Sequence, residues 1–198
     1  LYQKQSMSMA FGQTLESALP DVVFTDASEG IYRLSAVKSD EEWELIRKSL
    51  RVHEQIIGAV PALLRPSKLE STLQAELEWL ALDMGCDTIG NLSVGSAPRG
   101  QNAVFMPRVC ENRRIQEGDV VTVMVEVAGP GGVFCELARS FCMGQPSDNL
   151  TELYAIAREA QRIVAGAAKP GVSGEALNRI YNEFIASYGL PANNRFVG

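Results

Sequence analysis

Histidine is almost missing from this chain: His53 is its single copy among 198 residues. That excludes any metal centre built on several imidazoles within these residues, and any mechanism that passes protons between two histidines. The four cysteines, Cys86, Cys110, Cys135 and Cys142, lack zinc-finger spacing and read as reduced packing residues of a chain expected in the cytoplasm. Cys135, beside Glu136, is the one candidate reactive thiol. No apolar run approaches the roughly 20 residues of a membrane span, and no stretch reads as a signal peptide. Basic residues form no block and the net charge is −6, so neither nucleic acid nor a membrane is an expected partner. What is present is ordinary for a globular protein: 46% hydrophobic and 21% charged residues, on a chain long enough for one good core.

The most informative stretch is a strand pair. In the run 118–127, Val121, Val123, Val125 and Val127 alternate with Val120, Thr122, Met124 and Glu126, the period-two pattern of a strand with two distinct faces. A Gly/Pro turn at 128–132 sends the chain back along 133–141, so the two runs pair antiparallel. A turn centred near Pro130 sets Met124 directly opposite Glu136, with Glu126 on the same face. Cross-strand neighbours approach to about 5 Å. Two acidic side chains are thus aimed at one small volume.

Around this hairpin the pattern is helical. A short helix is expected around Phe11, Leu15 and Leu19, followed by a strand at 22–25. Ser39 and Glu42 form a capping box that opens a helix to about Leu64, with an apolar stripe of Trp43, Ile46, Leu50, Ile57, Val60 and Leu64. His53 falls on that stripe and reads as a core residue. Ser67 and Glu70 make a second capping box for a helix through Leu73, Leu77, Leu80 and Met84 that stops at Gly85. A strand is expected over 89–94, a loop to Asn102 and a short strand over 103–106; Arg113 and Arg114 read as a solvated turn. Two further helices follow, one from Pro146 to Val164, the other from Ser173 to Gly189.

The halves repeat. At a constant offset of 104 residues, Pro66 pairs with Pro170, Leu73 with Leu177, Leu77 with Tyr181, Leu80 with Phe184 and Gly85 with Gly189. A duplicated helix pair laid on the two halves of a curved sheet accounts for this.

Gly118-Asp119, a β-branched run, a turn, and an acidic residue followed three places on by Arg139 and then by Phe141 resemble the central hairpin of the creatinase/aminopeptidase ("pita-bread") family. The resemblance covers about residues 34–198. It implies an α+β fold of pseudo-twofold αα units on a curved antiparallel sheet, incomplete at the C-terminus, because 193–198 resemble the approach to the family's Gly-His-Gly segment. It further implies that residues 1–36 are the tail of an N-terminal creatinase-type domain and 37–198 an incomplete catalytic-type domain, a fragment or a chain completed by another polypeptide.

The same resemblance places a candidate site. Metal-dependent members carry two divalent ions such as Mn, Co, Zn or Fe, held in part by an Asp on each strand of the hairpin. By position these fall at Met124 and Glu136, and a further Asp of the lyase-like branch at Glu126. Gly100-x-Asn102 resembles the loop ahead of a substrate-contacting His, which falls at Pro107, or at Met106 with a one-residue slip; Asn102, Met106 and Pro107 are therefore the substrate-side candidates. A thioether suits soft metals and carries no charge, so no cofactor is expected in this chain and the catalytic residues are not identified. Three readings follow: a hydrolase homologue of the Xaa-Pro peptidase and creatinase type with a degenerate metal site and no peptidase activity, a non-catalytic peptide- or protein-binding module, and a relative of dimethylsulfoniopropionate lyases. The family's habit implies a homodimer with a small-molecule or peptide ligand.

Overall fold

The computed structural model describes residues 7–101 and 112–193. In chain order the elements are α1 (Met9–Ala18), α2 (Ser28–Ala36), α3 (Asp40–Leu63), α4 (Glu70–Asp83), β1 (Thr88–Ala97), β2 (Val120–Ala128), β3 (Phe134–Cys142), α5 (Asp148–Ala167) and α6 (Gly174–Ala186). The three strands form one antiparallel sheet in the order β1-β2-β3. The chain divides into two compact units: residues 1–63, 71–94 and 123–139, and residues 64–70, 95–122 and 140–198.

The first unit is held by α3 against the hairpin end of the sheet. The Ser39–Glu42 box forms as expected, with the Ser39 N–H donating to Glu42 (2.7 Å) and the Glu42 N–H to the Ser39 hydroxyl (3.3 Å), satisfying two of the orphan donors of a helix start. Ile57, Val60 and Leu64 are buried as expected, but towards the N-terminus of the helix the buried stripe is rotated from the expected one. Ser49, Val52, His53, Ile56, Ile57 and Val60 are inside, whereas Trp43 and Leu50 are exposed. Close approach explains the rotation: the Ser49 hydroxyl donates to the Val133 carbonyl at 2.9 Å, and a Cβ on Gly129 would lie 2.3 Å from that hydroxyl oxygen. Only a small residue fits where α3 meets the turn. On β2, Val123, Val125 and Val127 are fully buried, as are Leu73, Leu77 and Ala81 of α4.

In the second unit α5 and α6 pack on each other through stripes that include Ile156, Ala160, Val164 and Ile185. Both start on serine caps, Ser147 and Ser173, whose hydroxyls accept the N–H three residues on. The repeat is visible in the element boundaries. Adding 104 to the end of α3 gives the end of α5, and adding it to the start of α4 gives the start of α6. Gly85 and Gly189 both take left-handed φ, 83° and 71°, the conformation that stops a helix on glycine. An i,i+4 side-chain hydrogen bond of 2.8 Å recurs at equivalent positions, Gln74–Glu78 in α4 and Asn178–Asn182 in α6.

Two local expectations fail. Residues 22–25 form no strand, and α2, which sequence periodicity did not reveal, follows them; Arg33 bridges to Glu29 one turn back. The Ser67–Glu70 box does not form. Ser67 has φ 64° and its N–H donates to the Ile115 carbonyl (2.8 Å), so α4 starts at Glu70 with that carboxylate turned inward. The expected short strand over 103–106 lies outside the described residues.

Candidate functional site

The hairpin sets the site's register. The Gly129 N–H donates to Val133 O (3.0 Å) and the Met143 N–H to Asp119 O (2.8 Å); both bonds, and the matched nine-residue strands, define a single pairing. Glu126 faces Glu136, Met124 faces Ala138, and Ala128 faces Phe134. The expected opposition of Met124 and Glu136 is therefore corrected by two residues. The cause is the turn: Gly131 and Gly132 both have positive φ, 86° and 74°, giving a three-residue loop at 130–132 centred on Gly131 rather than Pro130. The face assignment survives, because a two-residue shift preserves side-chain parity. Met124 and Glu136 are diagonal neighbours, and Glu126 and Glu136 are directly opposed in a non-hydrogen-bonded pair, with Cβ atoms about 4.5–5.5 Å apart.

The three positions differ sharply in environment. Met124 is 2% exposed, Glu126 half-buried and Glu136 exposed. Glu136 is thus a rim residue beside a covered thioether. Part of the cover over this end of the face is the Phe134 ring, which lies against Gly90 of β1: a Cβ there would meet the ring's Cε1 at 2.6 Å and the Glu126 carbonyl at 3.0 Å. A glycine interrupting an otherwise β-forming run is the sequence signal for such an approach.

His53 stands on the opposite, helix-covered side of the hairpin. It is fully buried; its Nδ1–H donates to Ser49 O at 2.8 Å, and its Nε2 accepts the Val127 N–H at 3.4 Å. An acceptor at Nε2 fixes the proton on Nδ1. Both nitrogens are engaged with backbone, which makes His53 the core residue the sequence implies, with two partners. Cys135 also faces α3, its sulfur 3.9 Å from Ile46 O. Burial, and then the neighbouring Asp87 charge, push the Cys86 thiol above the ordinary 9.0, leaving it protonated and unreactive near neutral pH.

The arginine pair departs from a solvated turn at one position. Arg113 donates through one Nη to both Ser96 Oγ (2.6 Å) and Asp119 Oδ2 (2.7 Å), while Arg114 stays exposed and caps the Ser67 carbonyl. No spacing in the sequence announces the first arrangement. Asn102, Met106 and Pro107 lie outside the described residues.

A pair of hard divalent cations needs several anionic oxygens converging at about 2.0–2.6 Å. Among the described residues no group of three or more His, Cys, Asp or Glu side chains comes together. The hairpin offers two carboxylates on opposed positions, and a thioether suited to soft metals. These donors alone do not fit a dinuclear hard-cation centre.

Residues 44–198 match the sequence profile of metallopeptidase family M24. The uncharacterized peptidase YqhT of Bacillus subtilis is 24% identical over 191 residues, 95% of this chain and 52% of that protein. The Xaa-Pro dipeptidase of Pyrococcus furiosus is 26% identical over 170 residues, covering 84% and 47%. Among solved structures, an X-Pro aminopeptidase from Thermotoga maritima superposes with a TM-score of 0.78 at 23% identity, over 94% of this chain and 52% of that one, which shows the fold. The chain spans about half the length of the curated relatives it matches. The α+β pita-bread fold expected from the hairpin is therefore present in part, with three antiparallel strands. The hairpin frame, the duplicated helix pairs and a profile match over most of the residues lead to one assignment: this chain belongs to metallopeptidase family M24.

Proposed function

We propose that this chain is a ligand-degenerate homologue of the Xaa-Pro peptidases and creatinase-type hydrolases, without peptidase activity of its own. One observation carries the reading. The position that the family resemblance gives to the leading acidic ligand holds Met124, whose side chain is buried on the same face as Glu126 and Glu136. A buried thioether cannot offset the charge of a hard dication, and two glutamates alone supply fewer anionic oxygens than a pair of such ions requires. The likeness to an Xaa-Pro dipeptidase supports a peptide or small-molecule ligand for this face, and the division into residues 1–36 and 37–198 follows from the same kinship. The negative charge argues against nucleic acid and anionic membrane as partners, and no described helix is long and apolar enough to cross a membrane. Free cysteines at 86, 135 and 142 accord with the cytoplasm; a homodimer is the assembly proposed by kinship.

The test is incubation of the purified chain with Xaa-Pro dipeptides in Mn²⁺ or Co²⁺. The expected result is no turnover above the protein-free blank, and turnover abolished by Glu126→Gln would overturn the proposal.

A further inference from the structure

The second unit contains a buried ionic network outside the hairpin site. Glu70, the first residue of α4, is 1% exposed. Its Oε1 accepts both the backbone N–H and the hydroxyl of Ser96, each at 2.7 Å, and its Oε2 accepts the Arg113 N–H at 3.1 Å. The backbone closes the same link in reverse, the Glu70 N–H donating to Arg113 O at 3.2 Å. The Arg113 guanidinium bonds the Ser96 hydroxyl and Asp119, and Asp119, 2% exposed, also accepts the Gln116 N–H at 2.7 Å.

Two carboxylates are withdrawn from water here, and the Arg113 side chain beside them is half-buried. Burying an ion pair is a poor source of net stability, because desolvation consumes most of the Coulombic gain; well-packed apolar residues often serve as well or better. What the network supplies is geometry. Ser96 lies near the end of β1 and Arg113 shortly before β2, so one carboxylate grips the chain on both sides of the connection between these strands. Each grip is a charge-assisted bond to backbone N–H, which sets position more strictly than a side-chain contact does.

We infer that Glu70, with Arg113 and Asp119, is a clamp on the base of the β1–β2 connection, fixing where the chain leaves one strand and enters the next. Glu70 is a positioning residue, and its effect is local. The connection carries Asn102, Met106 and Pro107, to which the resemblance assigns ligand contact, although the clamp stands without that assignment.

Hydrogen–deuterium exchange on the full chain tests it. Glu70→Gln keeps the shape and an acceptor for Ser96, but turns an amide N–H₂ toward the Arg113 N–H. The amides of Ser96 and Arg113 should then exchange about tenfold faster or more, with peptides from α5 and α6 unchanged. Ser96→Ala, a milder change that keeps the backbone bond to Glu70, should give a smaller acceleration at the same two places. Unchanged exchange at Ser96 and Arg113 in both variants would overturn the inference. So would acceleration by a common factor throughout the chain, which would make the network a general stability element.

Discussion

At the scale of single residues, the proposed reading turns on Glu126 and Glu136, which face each other across the hairpin. Like charges in directly opposed positions destabilise a ladder. Replacing Glu136 by Lys should therefore stabilise the chain by about 0.2–1 kcal/mol in thermal or urea unfolding, with the gain shrinking in 1 M salt. A loss of stability would mean that Glu136 has an attractive partner, such as a bound ion. Cys86 gives a pH-dependent counterpart. Its folded-state thiol sits above the ordinary 9.0 because of burial, with Asp87 adding to the shift, so its contribution to stability is complete below that value and declines as the pH rises through the folded-state value. Unfolding free energy measured from pH 8 to 11 should fall less steeply in Cys86→Ala than in the parent. The sequence made the alternating faces of β2 legible, because period two is written in its valines. It did not make the register legible, since two consecutive glycines could place the turn at either of two centres.

At the scale of elements, the helix pairs were readable and their packing faces less so. Ser39, Ser147 and Ser173 mark three helix starts by local chemistry, and Gly85 and Gly189 mark two stops. Ser67 carries the same apparent signal and misleads, because its partner Glu70 is drawn instead into long-range bonds with Ser96 and Arg113. Such bonds have no spacing rule. The N-terminal part of the α3 stripe was misplaced for a related reason: contact with Gly129 selects Ser49 for the interior over the more hydrophobic Leu50. Between strands, the Phe134 ring fills the space over Gly90. Gly90→Val should destabilise by about 1–3 kcal/mol through overpacking, and Phe134→Ala in the same chain should recover part of that loss. The coupling is measured by a double-mutant unfolding cycle; purely additive effects would remove Phe134 from the cover of this face.

At the scale of the whole molecule, the 104-residue repeat and the hairpin were sufficient to reach the family, whereas the proposed degeneracy of the metal site rests on the three side chains at 124, 126 and 136. The chain spans about half of its relatives, and in the proposed reading Met124 stands where the family resemblance puts the leading ligand. The proposed function requires that the hairpin frame hold no pair of hard cations. Calorimetric titration of the purified chain with Mn²⁺ tests it most directly. No saturable binding of two equivalents at micromolar concentration is expected, in the parent or in Glu136→Gln. Two tightly bound Mn²⁺ per chain, lost when Glu126 or Glu136 is changed to Gln, would contradict it.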